Sequence, residues 1–175
     1  AQVSSRALPT VWEISTRPWL FALAQKYALD TDYMKLRDVP AAEWQAIADD
    51  GMEVVWLMGV WSLGAFGLHH DQTDPGLLQA YKQELPSFTM DDVIGSPYAI
   101  TNYTVNPDIG DEDDLTAVRK TINGMGMRLM VDMVPNHMAV DSVLASNSPD
   151  CFVQKPSSGS FPSDWWISRG GTTFA

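Results

Sequence analysis

The sequence predicts a parallel α/β fold, and three observations predict it. Two apolar runs of strand length, residues 53–58 and 128–134, each follow a segment of helical period. Glycines close both helical segments, Gly51 the first and Gly124 with Gly126 the second. A short strand pattern at residues 11–15 opens the series. The resulting order is strand, helix, strand, long connection, helix, strand, which is the signature of βαβ units.

Each element has its own justification. Residues 11–15 (VWEIS) alternate and are β-prone. Residues 38–50 read as a helix whose first turn suits Pro40 and whose end suits Gly51. Trp44, Ile47 and Ala48 lie three and four apart and make one apolar face. Residues 53–58 form a buried strand. In the long connection, residues 74–85 read as an inserted helix, with Asp74 as cap and Pro75 in its first position. Residues 89–92 start a short helical turn, and residues 95–103 form an ordered loop. A connection this long usually carries function. Residues 111–123 are the next helix. Its acidic start complements a helix N-terminus better than it builds a metal site, and Leu115, Val118 and Ile122 form its buried stripe. Residues 128–134 are apolar enough for a strand buried on both faces. Beyond His137, residues 138–175 are rich in Ser, Pro and Gly and show no further strand and helix pair.

The strand at 128–134 carries the polar groups. Asp132 interrupts it, and Asn136 and His137 follow its end. In a parallel α/β barrel that end faces the active site. A carboxylate, an amide and an imidazole gathered there can bind a polar ligand.

Composition narrows the partners. The 175 residues hold 22 acidic and 11 basic side chains, a formal net charge of −11. That excludes a phosphate backbone as partner, because such binding needs lysine and arginine patches. No basic amphipathic stretch suggests a membrane surface, and no apolar run approaches the ~20 residues that span a bilayer. The hydrophobic fraction of 45% supports a substantial core. Cys151 is the only cysteine, so no internal disulfide forms. With the absence of a charged and apolar leader in residues 1–8, this leans towards a reducing, cytoplasmic compartment.

Residues 132–137 (DMVPNH) match the D-x-V-x-N-H motif at the third barrel strand of glycoside hydrolase family 13, the α-amylase family. Residues 96–103 (SPYAITNY) followed by 106–110 (NPDIG) resemble that family's Y-x-x-x-D-Y…P-x-x-G segment. Residues 54–58 resemble its second strand and 11–14 its first. The resemblance spans residues 10–175 in the correct order. It implies a partial (β/α)8 barrel: an N-terminal extension at 1–9, about three βα units of the catalytic barrel at 10–137, and the start of the insertion after strand three at 138–175. It also implies action on α-glucosidic bonds with retention, on an α-glucan or α-glucoside substrate. Under this resemblance Tyr98 stacks on a sugar ring, His137 hydrogen-bonds a sugar hydroxyl, and Asp132 is a structural carboxylate beneath the site. Asn136 matches an asparagine that binds calcium in many members. Asn102 departs from the pattern, since the family usually has Asp there.

Retaining hydrolysis needs two carboxyl groups roughly 5 Å apart. The family places its nucleophile in a G-x-R-x-D segment on strand four, its acid/base Glu on strand five and a further Asp after strand seven. None of these segments occurs here. The expectation is therefore an N-terminal portion of such an enzyme, inactive alone. The alternative is a non-catalytic sugar-binding or interaction module derived from that fold. A third reading, a metal-dependent hydrolase using His69, His70 and Asp132, ranks last, because adjacent residues rarely point at one ion. Trp61 and the pair Trp165 and Trp166 either line sugar subsites or pack in the core, and packing is the more frequent fate.

Overall fold

Strand β1 (Val11–Ser15) runs parallel to β2 (Val54–Met58), which runs parallel to β5 (Arg128–Val131), in the sheet order β1-β2-β5. The computed structural model describes residues 6–160, 162–163, 166–169 and 172–174. This unclosed parallel sheet with its helices is the α/β arrangement the sequence predicts. By their contacts the residues divide into two compact units. One comprises Ala1–Ser62 and Thr104–Met133, the other Leu63–Tyr103 and Val134–Ala175.

The first unit holds the parallel sheet and the main core. Helix α1 (Thr16–Lys26) follows β1 directly and buries Leu20, Leu23 and Ala24 at helical spacing. The sequence reading passed over it. Its Pro18 lies in the first turn, where a proline loses no helical hydrogen bond. Helix α2 (Ala41–Asp49) ends before Gly51, whose φ of +78° is one that glycine adopts without cost. Pro40 is its cap rather than its first residue. Trp44 and Ile47 are buried as expected. The Trp44 ring packs at 57° to that of Trp19, with centroids 5.0 Å apart. Burying a side chain of this size contributes about 2–3 kcal/mol. Helix α5 (Glu112–Gly124) buries Val118 and Ile122, with Leu115 half-buried beside them. Its acidic start is a reciprocal cap. Asp111 accepts from the Asp114 N–H at 2.9 Å, and Asp114 accepts from the Asp111 N–H at 3.0 Å. Glu112 accepts from the Val105 N–H at 2.8 Å.

One expectation about this unit is corrected. The strand at 128–134 is not buried on both faces. It pairs on one side only, Leu129 and Val131 are half-buried, and Met130 is 38% and Met133 80% exposed. The apolar run suits a central strand, but β5 lies at the sheet edge. β1 lies at the other edge, and there Val11 and Trp12 are exposed.

The long connection is more ordered than the sequence suggests. β3 (Trp61–Leu63) pairs with β4 (Ile100–Val105) in a two-stranded sheet. Residues 100–103, which the sequence suggests as loop, are strand because Ile100, Thr101 and Tyr103 favour a pleated backbone. Helix α3 (Ala65–Thr73) was not foreseen. Helix α4 (Pro75–Glu84) was, and Asp74 caps it by accepting from the Leu77 N–H at 2.9 Å. Residues 90–92 make the expected helical turn. The later segment holds a short helix α6 (Val143–Asn147) and an antiparallel pair, β6 (Ile167–Arg169) with β7 (Thr172–Phe174). Among the described residues no helix is long and apolar enough to cross a membrane.

Lys26 and the Tyr27 hydroxyl, at the end of α1, both donate to one oxygen of Glu43 on α2 at 2.6 Å. These bonds hold the Glu43 carboxyl below the usual carboxylate range. A lowered folded-state value stabilises the fold above the unfolded value near ~4.3, and the benefit is lost as pH falls through the folded value. Glu43→Gln should therefore melt below the parent at neutral pH. The gap should close below about pH 4, as followed by circular dichroism.

Candidate functional site

The end of β5 is a closed knot of hydrogen bonds in the first unit. Asp132 is buried. Its Oδ2 accepts from the Gly59 backbone N–H at 2.6 Å, and its Oδ1 accepts from the Trp56 indole N–H at 2.9 Å. The Trp61 indole donates to the Asp132 backbone oxygen at 2.8 Å. Gly59 has φ +70°, a conformation that a side chain would strain. A buried carboxylate needs such donors, because an unpaired one would be costly.

The second unit brings Tyr98 and His137 together. Both line a cavity of about 310 Å³. Phe66, Gly67 and His70 of α3 complete its wall with Ser96. Three chain segments build it, and hydrogen bonds tie each to another. Gly64 N–H donates to the Ala99 oxygen at 2.9 Å, and Phe66 N–H to Asp141 Oδ2 at 3.0 Å. Ala139 N–H donates to the Ile100 oxygen at 2.8 Å, and the Ser142 hydroxyl to the Thr101 oxygen at 2.8 Å. Tyr103 pins the segment that leads to His137. Its hydroxyl accepts from the Val134 N–H at 2.9 Å and donates to the Val134 oxygen at 3.0 Å.

Gly64 occupies the cap position of α3 and has no side chain to serve it. Asp141 serves it instead, from far along the chain. A Cβ on Gly64 would run into Asp141 Oδ1 and stand 2.9 Å from the Ala139 Cβ. A Cβ on Gly67 would lie 3.5 Å from the Ala99 Cβ, so α3 lies against the turn that carries Tyr98.

Asn136 lies beside His137, its amide nitrogen 3.3 Å from His137 Nδ1. With the amide donating, the ring proton sits on Nε2. Among the described residues no group of three or more His, Cys, Asp and Glu side chains is placed to hold a metal ion. His69 and His70 are consecutive on α3, and His70 Nδ1 stands 3.5 Å from Asp71 Oδ1. Trp61 is engaged at Asp132, and Trp165 lies outside the described residues. Two other cavities, about 300 Å³ beside Tyr81 and Phe88 and about 420 Å³ beside Tyr33 and Asp108, contain none of Tyr98, Asp132, Asn136 and His137. Tyr103, Asp141, Phe66 and His70 were missed as contributors. Tyr103 had a signal in its place in the tyrosine segment, and His70 only as half of a histidine doublet that suggests a metal.

Three parallel strands in this order, with a polar cluster following the third, define a chain of the α/β-barrel class. Residues 70–174 match the family model for the α-amylase catalytic domain, more than half of the chain. The chain belongs to the α-amylase family, glycoside hydrolase family 13. It is similar to an α-amylase from Lactobacillus plantarum at 25% identity and TM-score 0.57, over 90% of this chain and 30% of that one. A maltogenic α-amylase, AmyB, from Thermotoga neapolitana shares the fold at 21% identity and TM-score 0.56, over 95% of this chain and 31% of that one. So does a trehalose-6-phosphate hydrolase from Bacillus licheniformis, at 15% identity and TM-score 0.56, over 95% and 27%. The chain thus spans about three-tenths of the length of these relatives.

Asp132→Ala leaves the Trp56 and Gly59 donors without their acceptor and should cost about 2–4 kcal/mol in urea unfolding. Gly64→Ala, which forces Asp141 aside, should cost about 1–3 kcal/mol by the same measurement.

Proposed function

We propose that this chain carries substrate-binding residues of an enzyme that acts on α-glucosidic bonds with retention, its ligand being an α-glucan or α-glucoside. The observation that supports this reading is the meeting of Tyr98 and His137 at one cavity. A half-buried phenol ring offers a flat face to the C–H side of a sugar. The imidazole beside it offers a proton on Nε2 to a ring hydroxyl. Asp132, fully engaged by Trp56 and Gly59, takes no part in proton transfer and keeps a structural role. The nucleophile and acid/base of a retaining pair are not among these residues, so the chain alone binds without turnover.

A second reading, a sugar-binding module without chemistry, has one specific observation in its favour. Among the described residues the cavity is lined by hydrogen-bonding and apolar groups and by no carboxylate. The two readings part at the downstream reading frame, where a G-x-R-x-D segment favours the enzyme.

Titration of the chain with maltotriose should show saturable binding. Tyr98→Ala and His137→Ala should each weaken it roughly 5- to 30-fold, about 1–2 kcal/mol. Release of p-nitrophenol from p-nitrophenyl α-glucoside should stay at the buffer rate. No saturable binding at millimolar maltotriose would refute both readings.

A further inference from the structure

We infer that His70 of α3 is a further ligand-contacting residue in this cavity, a second imidazole that hydrogen-bonds a hydroxyl of an uncharged sugar. The inference rests on the sugar-binding reading above. His69, His70 and Asp71 suggest metal ligation as a sequence, but the fold separates their duties. His70 lines the cavity with Tyr98 and His137, whereas Asp71 lines a different cavity, beside Tyr81 and Phe88. Phe66 and His70 are four residues apart and so share one face of α3. Gly67, on the same stretch, lets that face approach the turn carrying Tyr98, with only 3.5 Å from an added Cβ to Ala99.

The helix is held where this requires. Its first turn is fixed by Asp141 and by the Gly64 bond to Ala99, so His70 projects from an anchored element. The ring's Nδ1 is turned towards Asp71 at 3.5 Å, which leaves Nε2 for the ligand. The described lining residues include no lysine and no arginine. A phosphate placed there would be desolvated with no lysine or arginine in the wall to pair it, whereas hydroxyls find two imidazoles and a phenol. The cavity therefore takes neutral polyols over sugar phosphates.

The test is maltotriose titration of four proteins: the parent, His70→Ala, His69→Ala and His137→Ala. His69 lies on the same helix outside the cavity and serves as control. His70→Ala should weaken binding about tenfold, with His69→Ala unchanged. In the parent, the His70 Nε2 nitrogen resonance should move on saturation. Because His70 is exposed, its replacement should leave the melt unaltered. Parent-like affinity in His70→Ala, or a stationary His70 resonance, overturns the inference while His137→Ala still reports on the site. Absence of binding by the parent overturns the sugar-binding reading, and this inference with it. Glucose 6-phosphate binding as tightly as maltotriose overturns the assignment to uncharged sugars.

Discussion

A carboxylate buried at the end of a strand has to be paired, and Asp132 is paired by groups of the neighbouring strand and the residue after it. Its two oxygens take the Gly59 N–H and the Trp56 indole N–H. Both donors belong to β2 or the residue just after it, so the bond pair fixes how far β5 advances along its neighbour. The parallel register, Val54 to Arg128 through Leu57 to Val131, carries the strand to that point. Register errors of one residue would turn Asp132 to the opposite face and leave its charge unpaired, a cost that local propensity cannot offset. The apolar run therefore makes the strand, and the single charge within it sets where the strand stops.

The second unit solves a different problem. Its cavity wall comes from a helix and two loops rather than from a sheet. Such segments hold a geometry only when their backbone groups find partners. Here each partner lies in another segment: Ala99 for Gly64, Asp141 for Phe66, Ile100 for Ala139, Thr101 for Ser142. Tyr103 adds a two-way bond to Val134. These are bonds between residues 31 to 75 positions apart. They close long loops, so their formation depends on the rest of the unit being in place.

That distance explains what could be read from the sequence. The parallel strands, α2, α4 and α5 were legible because each is defined by neighbours in sequence: Gly51 after α2, Asp74 and Pro75 before α4, the Asp111 and Asp114 box at α5. Helix α3 was not legible, since its cap is supplied by Asp141 and its own cap position is a glycine. Helix α1 was hidden by a proline that sits harmlessly in its first turn. The exposure of β5 was missed because an apolar pattern reports what a strand is suited to meet, and β5 meets a neighbour on one side only. Of the site residues, Tyr98 and His137 were legible through motif resemblance. His70 was visible only as half of a doublet that suggested a metal.

The chemistry of the cavity limits what it does. Among the described residues its polar side chains are two imidazoles, a phenol and a hydroxyl, with no carboxylate. Such a set orients a hydroxylated ring but offers no carboxylate pair to form and release a glycosyl ester. Under the proposed sugar-binding reading, binding and bond cleavage would belong to different parts of a site. The orienting part can be fixed by hydrogen bonds inside one compact unit, independently of where reacting carboxylates stand. An orienting wall of this kind raises a rate only if it holds the ring better at the transition state than before it. A stacked ring does so when the sugar flattens towards an oxocarbenium ion, and a His70 Nε2 that accepts from a hydroxyl does so when that hydroxyl becomes more acidic. The proposed His70 contact would therefore tighten as positive charge develops on the sugar, which is why a neutral imidazole, and not a cationic lysine, suits the position.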